Sequence, residues 1–272
     1  MNKFRLFATL LVVALCTTTI FTSCNNNDDD RGGGLEIVAT NVIGNTSRIA
    51  IVRAKIYDNN FDRQMTVGEA PFLNNGFRLQ LTHHDLPGTV LHSFMSVVES
   101  EVGADGANNI IAAGNISDRD VKLSDMVFLY AYDRNNNLIG EIWLGSYNYQ
   151  ENQHGGAGAG YAALWVYADR HVSSRGVYRE TEEDEWGKWE WEVSTDVSLR
   201  KGWNLVYGRM DWDWSWNEST GISEDTERLR LSSHRPSSAN LQWEFDDWYD
   251  WSRSSHSATT RMTERRRSIF RR

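Results

Sequence analysis

Several short stretches of this sequence hold residue types able to do chemistry, and each can be tested against the pattern that chemistry requires. His83-His84-Asp85 contains the sole adjacent histidine pair. A metal site needs three or four converging ligands, and neighbouring residues of a strand point to opposite faces, so no metal site is expected there. His154-Gly155-Gly156-Ala157-Gly158-Ala159-Gly160 has the look of a phosphate loop. The dinucleotide fingerprint would need glycine at Tyr161, and an apolar strand pattern follows instead of a helix, so the run reads as a flexible connection. Asp211-Trp212-Asp213-Trp214-Ser215-Trp216-Asn217 alternates oxygen ligands in the manner of a calcium loop. Trp216 occupies the position of the obligatory glycine and Ile222 that of the bidentate glutamate, which excludes an EF-hand. A looser calcium site combining Asp211 and Asp213 with the acidic run at 182–185 is the alternative. Neither a G-x-S-x-G elbow nor an H-E-x-x-H pair occurs. No catalytic residue, metal ligand or cofactor is therefore assigned.

Tryptophan is the outstanding feature. Of the twelve in the chain, Trp186, Trp189, Trp191, Trp203, Trp212, Trp214 and Trp216 fall within 31 residues. On strands, Trp189 and Trp191 share a face, as do Trp212, Trp214 and Trp216. Two arrangements follow. The indoles can fill the core and brace one another across strands. Alternatively they form an exposed platform beside carboxylates, stacking on sugar rings or anchoring a protein partner. In the second arrangement the candidate binding residues are Trp186, Trp189, Trp191, Trp212, Trp214 and Trp216, with Asp211 and Asp213 as hydrogen-bond acceptors. A regular strand would send Asp211 and Asp213 to the side opposite the rings, so that site requires a loop or bulge.

The elements that must position these residues read as β. Residues 35–43 and 48–57 alternate about Gly44-Asn45 and suggest a first hairpin. Phe77 to Leu81 repeats the period of two. Leu91, Phe94, Met95 and Val98, with Thr89 placed to cap, suggest one short helix. Val127, Leu129 and Ala131 alternate with Phe128, Tyr130 and Tyr132, and Asp133-Arg134-Asn135-Asn136-Asn137 supplies a turn before residues 138–144 return. Both faces of that hairpin are apolar, which favours a central position. Further strands are expected at 161–168, 189–193, 203–207, 229–231 and 241–245. The fold class is all-β, an antiparallel β-sandwich with one short helix.

The ends of the chain speak to location. Lys3 and Arg5 precede an apolar run from Leu6 to Thr22, shorter than the roughly 20 residues that span a bilayer, and Phe21-Thr22-Ser23 places small residues before Cys24. Residues 1–23 thus read as a signal peptide. Phe21 to Cys24 resembles the lipobox of bacterial lipoproteins, and that resemblance implies acylation of Cys24 and a membrane held through a palmitate-type lipid anchor. Residues 24–34 hold no apolar side chain to bury and read as a flexible tether. Asp28-Asp29-Asp30 near the acylated cysteine resembles the surface-export run of lipoproteins of the Bacteroidetes type, which implies display on the outer membrane at the cell surface. A domain over 35–251 and a disordered basic tail over 252–272 complete the division.

Cys16 leaves with the leader and Cys24 carries lipid, so no disulfide is available and the domain must stand on its core. Formal charge is −9, and loss of Lys3 and Arg5 brings the remainder to −11. That balance argues against nucleic acid as a partner. Phrases including Gly76-Phe77-Arg78-Leu79-Gln80-Leu81, Ile116-Ser117-Asp118-Arg119-Asp120, Val166-Tyr167-Ala168-Asp169-Arg170 and Gln242-Trp243-Glu244-Phe245 resemble uncharacterised secreted β-rich lipoproteins of the Bacteroidetes type. The resemblance spans roughly Leu35 to Phe245 and carries no catalytic residue. The expected function is a surface-anchored, non-catalytic module that binds an extracellular glycan or protein partner. The alternatives are a carbohydrate- or peptide-cleaving enzyme and a structural subunit of an outer-membrane assembly.

Overall fold

A computed structural model describes residues 35–58, 63–82, 85–93, 115–152, 155–184, 187–217, 219–237 and 239–248. Residues 1–34, which include Cys24 and the stretches expected to be a signal peptide and tether, Trp186, and residues 249–272 lie outside the described residues. So do His83 and His84.

Alternating burial begins at once. β1 (Glu36–Ala39) buries Ile37 and Ala39 and exposes Glu36 and Val38. β2 (Ile51–Tyr57) buries Val52, Ala54 and Ile56. These two strands do not form the expected hairpin. β1 pairs antiparallel with β4 (Phe77–Gln80), Ile37 opposite Leu79, while β2 pairs with β3 (Gln64–Pro71) and β7 (Phe128–Tyr132). Positive φ at Gly44 (119°) turns the chain away after β1.

The expected helix also fails at its start. Thr89 lies in a single 3-10 turn, Gly88–Val90, and Leu91–Ser93 is a strand, β5, paired with β6 (Lys122–Ser124). Pro87 precedes the turn in an extended conformation, and Val90 and Leu91 are both buried in the core, which fixes them more strongly than helical spacing does. Phe94, Met95 and Val98 lie outside the described residues.

The hairpin about Asp133 forms as expected. β7 pairs antiparallel with β8 (Leu138–Asn152). Asp133 Oδ1 accepts from the backbone N–H groups of Asn135 and Asn137 at 2.8 and 2.9 Å, and Asn136 takes the left-handed φ of 64°. Leu129 is 2 % exposed, and β7 has strands on both sides.

Long strands make up the second half: β9 (Gly155–Ala168), β10 (Val172–Glu183), β11 (Gly187–Leu199), β12 (Gly202–Asn217) and β13 (Ile222–Ser232), with β14 (Gln242–Asp247) returning to β8. The glycine run is therefore part of β9, not a flexible connection. The main sheet runs β10-β11-β13-β12-β9-β8-β7-β2-β3, with β14 on β8 and the β5–β6 pair attached to β9. β1 and β4 form a separate two-stranded sheet. The whole is all-β and sandwich-like, with a mixed, curled sheet.

Two cores share β9. Ala162, Leu164, Val166 and Ala168 enter one core, with Val193 and Val197 of β11, Met210 of β12 and Leu229 of β13. Ala163, Trp165 and Tyr167 enter the other, with β1, β2, β4, β7 and β14. Trp165 stacks there on Trp243, ring centroids 5.9 Å apart. A strand buried on both faces must be apolar throughout its length, as residues 162–168 are.

Candidate functional site

The β11–β13–β12–β9 array continues beyond the core that holds Val193, Met210 and Leu229, and strand register decides what its far end presents. In β12, Trp212 pairs with Glu227 of β13 and Gly158 of β9, and Trp214 pairs with Asp225 and Gly156. In β11, Trp191 pairs with Glu227 and Trp189 with Asp225. Directly paired residues project to the same face. Two rows therefore cross the sheet, Trp191-Glu227-Trp212 and Trp189-Asp225-Trp214, with an indole on either side of each carboxylate. Glu180 of β10 extends the first row beyond Trp191.

Exposure rises along the strands. Val193, Leu229 and Met210 are fully buried and Trp191 is 3 % exposed, so Trp191 belongs to the core and not to any exposed platform. Trp189 and Trp212 are half-buried against that core, Trp214 is half-buried, and Trp216 is 42 % exposed. The tryptophans thus form one gradient from core to surface, from buried Trp191 through half-buried Trp189, Trp212 and Trp214 to exposed Trp216.

Neighbouring rings set the geometry. Trp189 and Trp191 stack at 6.1 Å with planes 12° apart, and Tyr178 meets Trp191 edge-on at 6.1 Å. Trp212 lies across β9 to stack on Tyr147 of β8, centroids 5.1 Å apart and planes at 24°. Gly158 makes that reach feasible, because a methyl group built on it would collide with the Trp212 ring. Gly158 is the space into which the indole folds. Burial pushes the Tyr178 phenol above its ordinary pKa, and the charge and hydrogen bond of Glu180 push it the same way.

Asp211 and Asp213 are not part of this face. β12 keeps unbroken register with β13 and β9 through residues 211–215, without loop or bulge, so both aspartates project to the opposite side. Asp211 is committed there to arginines: Arg209 approaches Oδ1 at 2.6 Å and Arg230 approaches Oδ2 at 3.4 Å. Asp213 is exposed on that same side. The acceptors beside the rings are instead Asp225, Glu227 and Glu180. No local pattern announces them, since only the pairing of β13 with both β11 and β12 brings them between the tryptophans.

Elsewhere, Asp85 of the histidine stretch accepts from the Tyr167 hydroxyl at 3.0 Å and lies 3.1 Å from Lys201. Hydrogen bonds from Lys201 and Tyr167 hold its carboxyl below the usual range. Among the described residues, no group of three or more His, Cys, Asp or Glu is placed to hold a metal ion. Compared with known proteins, the chain matches no family model, no curated protein and no solved structure.

Proposed function

We propose that this chain is a surface-anchored lipoprotein whose β domain binds extracellular glycans through the tryptophan-carboxylate face of β11, β12 and β13. One observation carries the binding half: indoles graded from buried to exposed, held rigid by stacking, with carboxylates interleaved. An indole matches the C–H face of a pyranose and loses little rotamer entropy on contact. Ionised carboxylates accept hydrogen bonds from sugar hydroxyls. Trp191 at the base gives the platform a buried root and leaves Trp189, Trp212, Trp214 and Trp216 to meet a ligand.

The anchoring half rests on the leader, the lipobox-like Phe21 to Cys24 and the acidic run Asp28 to Asp30. Replacing Cys24 with alanine should abolish labelling by a palmitate analogue and retention in membranes. Protease added to intact cells should remove the domain. For binding, titration of the full chain with neutral oligosaccharides should show saturable quenching of tryptophan fluorescence, and Trp214→Ala with Trp216→Ala should weaken it about tenfold or more. Unchanged binding in a folded double variant removes the face from the account.

A second reading draws on one feature. Asp225 and Glu227 lie two residues apart on the same face of β13, a separation near that of the two carboxyl groups of glycosidases, roughly 5–9 Å. Release of chromophore from aryl glycosides, lost in Glu227→Gln, would favour cleavage over simple binding.

A further inference from the structure

Charge is sorted across the sheet. Every lysine and arginine of β10 to β13, namely Arg175, Arg179, Lys188, Arg209, Arg228 and Arg230, occupies a register position on the side opposite Trp212 and Trp214. Most meet carboxylates on that side: Arg175 pairs with Asp196, Arg179 with Glu192 at 2.7 Å, Lys188 with Glu190, and Arg209 and Arg230 with Asp211. Register positions on the tryptophan side of the same four strands hold Glu180, Glu182, Asp225 and Glu227 and no basic residue. One surface is close to charge-balanced. The other is acidic and aromatic together.

We infer that the tryptophan face selects a ligand carrying ammonium groups on a sugar backbone, an amino-sugar chain of the glucosamine type. The inference rests on the glycan-binding reading above and adds the charge of the ligand to it. A cation gains twice here, since it is attracted by the negative face of an indole and by the carboxylate in the next strand. Half-burial of Trp189, Trp212, Trp214, Asp225 and Glu227 lowers the local dielectric and strengthens both attractions. A neutral sugar gains only stacking and hydrogen bonds. A uronic or sulfated chain meets carboxylates and ring faces that both repel it. Adjacent strands lie about 4.8 Å apart, so an ammonium above β13 has an indole within reach on each side. The alternation of ring and carboxylate across strands thus repeats on a scale suited to one amine per sugar.

The test compares two probes of equal length on the full chain in detergent: a glucosamine oligomer and the corresponding N-acetylglucosamine oligomer, below the pH at which the free amine loses its proton. The glucosamine chain should bind at least tenfold more tightly, and the preference should shrink as sodium chloride rises, because it is electrostatic. Asp225→Asn and Glu227→Gln, singly and together, should reduce the preference, weakening the glucosamine oligomer by a larger factor than the acetylated one. Asp211→Asn, on the opposite side, should leave it intact. Equal affinity for the two oligomers, or a preference indifferent to salt in the unaltered chain, overturns the inference and leaves glycan binding standing. Failure of both oligomers to bind overturns the glycan reading as well.

Discussion

In the core that contains β1, β2, β4 and β7, apolar rows meet the covering β1–β4 sheet and β14, whereas the rows of the core under β11, β12 and β13 continue outward into indoles and carboxylates. The first is closed by the β1–β4 sheet and by β14, whose Trp243 lies between Trp165 and Phe77. Among the described residues the second has no such cover at its far end. Leu229 gives way to Glu227 and then Asp225 along one strand, while Met210 gives way to Trp212, Trp214 and Trp216 along its neighbour. The same alternation of strand residues therefore yields a sealed core where a second sheet covers it and a face of indoles and carboxylates where, among the described residues, none does.

Substitutions can break or sharpen that contrast. The largest effect belongs to the sealed core: Leu129→Ala should cost about 2–5 kcal/mol in denaturant titration, since a leucine 2 % exposed between two strands leaves a cavity when truncated. A loss below about 1 kcal/mol would place β7 outside the packing that distinguishes the two halves.

Next comes the seam. Asp125 sits where the chain passes from Leu123 and Met126 of one core to Val127 of the other. The residue as a whole keeps some solvent contact, yet its Oδ2 has none and lacks a hydrogen-bond partner, while Oδ1 accepts from the Met126 N–H at 2.8 Å. Burial pushes this carboxyl up to about 7 against the opposing pull of the Met126 N–H. Between pH about 4 and 7 the native state holds the proton that the unfolded chain releases, so stability should fall as pH rises through that window, by on the order of 4 kcal/mol at most. Asp125→Asn should flatten the slope. A slope that persists in the variant assigns the pH dependence to other groups.

Third is the glycine beneath the platform. Gly158→Ala should displace Trp212 from Tyr147, costing about 1–3 kcal/mol and shifting tryptophan emission to the red as the ring gains solvent. The smallest effect on stability is expected at the open end, where Trp214→Ala should cost about 1 kcal/mol or less while weakening ligand. If Trp214→Ala instead costs as much as Leu129→Ala, the far end is core and the contrast collapses.

How much of this was legible in the sequence depends on how far apart the interacting residues lie. The β7–β8 hairpin was readable because Asp133 and the asparagines after it close their own turn, all within five residues. The partner of β1 was not, since Ile37 meets Leu79 across a gap that alternation alone cannot bridge. Residues 155–160 were misread for a related reason. Glycine disfavours strands, and the place of Gly158 in β9 is explained by Trp212, which arrives from another strand. The tryptophan spacing correctly placed the rings on shared faces, and it also signalled that Asp211 and Asp213 would face away on a regular strand. The true carboxylate neighbours reach the rings through a pairing that no local pattern encodes.

That pairing has a kinetic consequence. β11 and β12 are joined only by Arg200 and Lys201, yet they are not neighbours above their bases, because β13 lies between them, parallel to β11 and antiparallel to β12. Gly202, at a φ of 102°, opens the fork. Until residue 232 is available, the facing edges of both strands hold unmet backbone donors and acceptors, and the compact alternative of pairing β11 directly with β12 competes for them. The β12–β13 hairpin is local, opening at Asn217 opposite Ile222, so the late step expected is the parallel docking of β13 on β11, whose partners lie about 36 residues apart. Pulse-labelled hydrogen exchange during refolding should show the amides that bond β11 to β13 gaining protection after those of the β7–β8 hairpin, and simultaneous protection would refute that order.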